Sequence, residues 1–145
     1  MQRYNIYLIG GMTKFGVDNF AEGNSWRAYL KGALEGCDAT SYDVHVVNPN
    51  DFYNLLNDTK YDSDREVMEF DLHKVRTSDL CICNFNDVYS LGSMAELAIA
   101  YERRIPIIGL CENNEKLHSW QESMINKKFD NIESLALYVI DYYLS

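Results

Sequence analysis

Positive charge is scarce in this 145-residue sequence, where 13 Lys and Arg stand against 22 Asp and Glu for a formal net charge of -9. That balance disfavours duplex nucleic acid and anionic membrane as partners, because both are held by clustered cations that neutralise phosphates. Local binding of small anions stays open. No apolar run reaches the length of a membrane span, and Met1 to Gly10 has no long apolar segment behind a basic stretch. The expectation is a soluble, cytoplasmic protein. Disulfide scaffolding is also missing: Cys37, Cys81, Cys83 and Cys111 are scattered rather than densely spaced, which points to a reducing compartment. Period two in an extended run puts Cys81 and Cys83 on one face of a strand, so core packing is favoured over a metal site. His45, His73 and His118 lack metal-ligand spacing and receive no catalytic role. Neither a metal nor an organic cofactor is expected. There is no internal repeat and no low-complexity segment.

What is present is apolar content of 47%, enough for one sizeable core and hardly two, so residues 1–145 read as a single domain. Asn5 to Ile9 reads as a strand that breaks at Gly10-Gly11. A helix over Ser25 to Leu34 follows, with Trp26, Tyr29, Leu30 and Ala33 at helical spacing and Gly36 as a stop. Val44 to Val47 is a second strand, closed by the turn cluster Asn48-Pro49-Asn50-Asp51. Asn50 to Ser63 has no clear period and reads as a surface loop or short irregular helix long enough to cover a site. Asp64 to Thr77 forms a helix with Val67, Met68, Leu72 and Val75 as its stripe, and Leu80 to Phe85 is a buried strand. Leu91 to Arg103 is helical, Ile105 to Leu110 is a strand, and Leu117 to Ile125 and Ile132 to Leu144 are helices, with Phe129 in a short fifth strand. Such alternation implies an α/β fold with a parallel sheet covered on both faces and right-handed crossovers.

In an open parallel sheet, ligands bind beyond the carboxyl ends of the strands, where strand order reverses. Three segments should meet there: Gly10-Gly11-Met12-Thr13, Asn84-Phe85-Asn86-Asp87, and Ser90-Leu91-Gly92-Ser93 leading into a helix. The last offers unpaired backbone N–H groups and a positive helix end, a cradle for a phosphate or other anion. Glu96 lies one turn into that helix. Ser93-Met94-Ala95-Glu96 also fits a capping box, in which Glu96 would only bond back to the helix start, and spacing alone favours the cap. Asp71 falls inside the apolar arc of its helix, so its carboxylate faces the sheet and needs either a partner or a cavity. A structural Asp and a functional one are equally compatible with that position. Two carboxylates facing one cleft are the equipment of glycosidic cleavage, one attacking the anomeric carbon while another group assists or orients. Lys14 and Arg27 read as solvated surface residues that could lend positive charge near the first loop.

Tyr7-Leu8-Ile9-Gly10-Gly11-Met12-Thr13, Asn48-Pro49, the Asp71 helix and above all Ser90-Leu91-Gly92-Ser93-Met94-Ala95-Glu96-Leu97-Ala98-Ile99-Ala100 resemble the nucleoside 2-deoxyribosyltransferase family. That family includes 2′-deoxynucleoside 5′-monophosphate N-glycosidases and related pyrimidine nucleotide hydrolases. The resemblance runs through most of the chain. It implies a single-domain, three-layer flavodoxin-like (Rossmann-like) fold with a parallel five-stranded sheet. It further implies Glu96 as the nucleophile of a glycosyl-enzyme intermediate, Asp71 as the aspartate contacting sugar or leaving base, and Tyr7 as the aromatic residue beside the nucleophile. Gly10, Gly11 and Met12 would line the substrate, with Asn84, Gly92 and Ser93 beside them. Ser90, six residues before the glutamate, would hold a 5′-phosphate. Ser123 and Met124, in the segment from Ser119 to Asn126, would complete a neighbouring subunit's site, which implies a homodimer or larger assembly. Met12-Thr13-Lys14-Phe15-Gly16 departs from the arginine-bearing loop of the monophosphate hydrolases, and Ser90 stands where the transferases often have an aspartate. The implied activity is base release from a nucleoside or nucleotide. Deoxyribosyl transfer between bases and a non-catalytic nucleotide-binding module remain as alternatives.

Overall fold

The computed structural model describes residues 1–11, 20–51 and 63–145. Its elements are β1 (Gln2–Gly10), α1 (Phe20–Glu35), β2 (Tyr42–Val47), α2 (Asp64–Arg76), β3 (Leu80–Asn84), α3 (Leu91–Glu102), β4 (Ile107–Leu110), α4 (Ser119–Met124), β5 (Lys127–Phe129) and α5 (Ile132–Tyr143). A single 3₁₀ turn over Pro49–Asp51 follows β2. All five strands pair in parallel in the order β2-β1-β3-β4-β5. This is the flavodoxin-like order, and the direction of winding reverses between β1 and β3. The fifth strand expected around Phe129 is present and is three residues long.

Alternation along the strands divides the core into two layers. Ile6 and Leu8 of β1 join Trp26, Leu30 and Leu34 of α1 and Leu135, Ala136 and Val139 of α5 on one face. Tyr7 and Ile9 point the other way, with Cys81 and Cys83 of β3, Val75 of α2 and Leu97 and Ala100 of α3. Side chains that alternate in direction on a central strand thus have to be apolar on both sides, which is why β1 and β3 read as continuous apolar runs. Cys81 and Cys83 share a face, as their spacing predicts, and all four cysteines are free thiols. No helix among the described residues is long and apolar enough to cross a membrane.

Two stripes differ from those expected. In α1 the buried face is Trp26, Arg27, Leu30 and Leu34, while Tyr29 is 42% exposed. In α2, Met68 is exposed and Val75 is the fully buried anchor. Helix ends follow local chemistry. Ser63 caps α2 by accepting from Glu66 N, and Ser90 caps α3 by accepting from Ser93 N.

Candidate active site

The described parts of the three segments expected at the switch point, Gly10-Gly11, Asn84 to Asp87 and the start of Ser90 to Ser93, converge beyond the carboxyl ends of β1 and β3. Gly10 is the last residue of β1 and pairs with Asn84 at the end of β3. The peptide joining Gly10 to Gly11 is held from both sides: Arg27 Nη2 donates to Gly10 O at 2.8 Å, and Gly11 N donates to Asn86 Oδ1 at 3.1 Å. A Cβ on Gly11 would stand 2.9 Å from Asp87 Cβ, and one on Gly10 would stand 2.5 Å from Trp26 Cζ2. Both glycines are therefore required by close approach. Gly10→Ala should push Trp26 aside and cost about 1–3 kcal/mol by overpacking, read as a lowered denaturation midpoint.

Glu96 lies on α3 and is half-buried, and the protein crowds its charge. Its carboxylate accepts a hydrogen bond from the hydroxyl of the fully buried Tyr7. Tyr7 thus spans from β1 to α3 and fixes the rotamer of the acid. Burial pushes the Glu96 carboxyl from 4.5 up to about 8; the Tyr7 bond opposes that rise, the Asp71 charge adds to it, and the Arg27 charge opposes it. Asp71, half-buried on α2, is near enough for its charge to act on Glu96.

The capping reading of Glu96 does not hold. Helix α3 starts at Leu91, Ser90 is its cap, and the Glu96 carboxylate engages Tyr7. Nor does the helix end keep Glu96 ionised. It is the sixth helical residue, beyond the first turn in which a macrodipole acts, and burial dominates.

The remaining expected residues fall as follows. Ser90 is half-buried, Gly92 is exposed with open space where a Cβ would stand, and Ser93 is buried. The Ser93 Oγ has no hydrogen-bond partner among the described residues. Asn84 is buried, and it is Asn86 that holds the first loop. Met12, Lys14 and Phe15 lie outside the described residues, as does most of the loop expected over 50–63. Ser123 and Met124 do not join this group. They sit before β5, beside a depression of about 550 Å³ that also involves Arg104, Ile105 and Pro106, at the amino ends of the strands.

Arg27 is the chief correction. Read from sequence as a solvated cation, it is only 1% exposed, and its guanidinium lies 4.5 Å from the centre of the Trp26 ring. A signal was present, since Arg27, Leu30 and Leu34 stand at the i, i+3, i+7 spacing of one helical face.

The chain matches no protein-family model and no curated protein sequence. Solved structures do share its fold. A conserved protein from Enterococcus faecalis V583 superposes with a TM-score of 0.76 at 16% identity, over 96% of this chain and 98% of that one. A 2-deoxyribosyltransferase from Bacillus psychrosaccharolyticus gives 0.68 at 17% identity, over 92% and 91%. A CMP N-glycosidase from Clostridium botulinum gives 0.59 at 15% identity, over 95% and 99%.

Proposed function

We propose that this chain cleaves the N-glycosidic bond of a nucleoside or its 5′-monophosphate, with Glu96 as nucleophile. The observation that carries this reading is the grouping of Tyr7, Asp71 and Glu96 at the switch point of the sheet, where the fold binds ligands. The shared fold with a 2-deoxyribosyltransferase and a CMP N-glycosidase supports it.

In the reaction, a Glu96 oxygen attacks C1′ and the bond from C1′ to the base nitrogen breaks, its electron pair leaving with the base, which takes up a proton from water. The sugar is then an ester of Glu96. A water molecule adds hydroxide to C1′ and releases a proton, and Glu96 returns as a carboxylate. Tyr7 aims the attacking oxygen. Asp71 orients the sugar or leaving base. Gly10 and Gly11 border the substrate, and Ser90 and Gly92 lie at the helix start that would receive a 5′-phosphate.

Ser123 lines the depression at the amino ends of the strands, and its role and that of Met124 as site residues call for a second copy of the chain. An apolar groove of about 620 Å³ between α3 and α4 supports such an assembly; it is lined by Leu91, Met94, Leu117, Trp120 and Met124 among others. The free thiols support action in the reducing cytoplasm.

The test is a chromatographic screen of nucleosides and 5′-monophosphates for free base, with and without an acceptor base. Base release without acceptor identifies a hydrolase, and release that requires acceptor identifies a transferase. Binding without any release would leave a nucleotide-binding module and overturn the proposal.

A further inference from the structure

The ladder between β1 and β3 ends at the pair Gly10 and Asn84. Phe85, the next residue along, gives its N–H to Leu110 O at 2.9 Å, on the β4 side. On the β1 side the next rung is made by a side chain. Gly11 N donates to Asn86 Oδ1 at 3.1 Å, and Asn86 Nδ2 donates to Gly11 O at 3.4 Å. A primary amide carries the same C=O and N–H pair as a peptide, so Asn86 meets both backbone groups of Gly11 as a neighbouring strand would. Aspartate has the size but no N–H, and glutamine has the groups but one methylene more.

Asn86 opens a turn that is fixed by its own bonds. Asp87 Oδ1 accepts from Tyr89 N and Asp87 O accepts from Ser90 N, both at 3.1 Å. Ser90 Oγ then caps α3 by accepting from Ser93 N at 3.3 Å. Gly11 rests against the same turn, where an added Cβ would stand 2.9 Å from Asp87 Cβ. The point at which the chain leaves β1 is thus tied, through Asn86, to the start of the helix that carries Glu96. We propose that Asn86 is a positioning residue of the Glu96 site: its amide extends the β1 and β3 ladder by one rung and holds Gly10-Gly11 at a fixed spacing from the start of α3, so that a substrate bordered by both meets a preformed gap. The consequence for substrate rests on the proposed function; the anchoring does not. Asn86 holds Gly11, whereas Tyr7 aims the Glu96 carboxylate, so the effect falls on how substrate is held rather than on the attack.

The experiment joins amide hydrogen exchange to steady-state kinetics on the intact chain, with the nucleoside or 5′-monophosphate that gives most free base in the screen. In Asn86→Ala the Gly11 amide should exchange at least about tenfold faster than in the parent, while the amides of residues 6–9 keep their rates. KM should rise about tenfold and kcat stay within about twofold, the pattern of lost binding. A purely structural Asn86 would lower the melting temperature and leave Gly11 exchange and KM at parental values. That result, or a freed Gly11 amide with parental KM, overturns the proposal. Should Asn86→Ala not fold, Asn86→Asp carries the same KM test, since it keeps the size of the side chain and loses the donor to Gly11 O. Should neither fold, NMR of the parent decides, through the scalar coupling across the hydrogen bond from Gly11 N to the Asn86 side-chain carbonyl carbon; its absence overturns the proposal. A Gly11 amide freed by Asn86→Ala, where the parent releases no base from any substrate, would sink the proposed function and leave the anchoring standing.

Discussion

Glu96→Gln is expected to lower base release by at least about 10³-fold, the scale seen when a covalent nucleophile is removed. The substitution keeps the shape of the side chain, and the amide oxygen can still accept from the Tyr7 hydroxyl. Because Ser90 caps α3, the helix start is untouched. What is lost is the anion that attacks C1′. The same substitution should also stabilise the fold at alkaline pH. The folded protein holds the Glu96 carboxyl at about 8, above its ordinary 4.5, so the folded state binds a proton that the unfolded chain has already released across that window. Stability is therefore full below about pH 4.5 and falls as pH rises through 8. A glutamine never ionises and escapes that loss. The gain should approach about 2–4 kcal/mol above pH 8 and vanish in acid, after allowance for the residual exposure of the carboxyl. Urea denaturation of both proteins in acid and in alkali measures it. A variant that releases base at the parental rate would remove Glu96 from the nucleophile role, and equal stability gains at both pH values would refute the burial argument.

The second large effect is on pH dependence. If the attacking group must be ionised, kcat/KM follows the fraction of Glu96 that is a carboxylate in the free protein. It should rise about tenfold per pH unit on the acid side and level off above about 8, where Glu96 titrates. Two variants move the limb in opposite directions. Tyr7→Phe removes a hydrogen bond that favours the charged form and shifts the limb to higher pH. Asp71→Asn removes a repelling charge and shifts it to lower pH, whatever it does to the maximal rate. A flat profile across neutrality in the parent, or two shifts of the same sign, would contradict the arrangement of charges described above.

Much of this was legible in the residues. The alternation of strands and helices was plain because β1, β3 and β4 are buried on both sides and read as short apolar runs between turn signals. Asp71 betrayed its inward direction because helical spacing places it with Val67 and Val75. Glu96 was different. Its position within a Ser-x-x-Glu pattern looked like a cap, and only the fold brings Tyr7, distant in sequence, to its carboxylate. Its raised pKa was likewise invisible, since burial and the Asp71 charge arise from the packing of α2 and α3 on one face of β3. Arg27 was misread through residue type. Arginine is seldom fully buried, and that prior outweighed a periodicity which in fact placed it in the core. Tyr29 and Met68 failed in the opposite sense, as apolar residues left at the surface of their helices.

The outermost strands set how readily a foreign strand could extend the sheet. β5 is three residues long and carries Lys127 and Lys128, one stacked over the Tyr138 ring and the other paired with Glu122. A short, cationic border offers little template for a foreign strand, and charged residues there oppose edge-to-edge growth. On the far border, β2 presents Asp43 and His45, joined to each other at 2.9 Å. Fibre-like extension of the sheet is thereby discouraged at both borders.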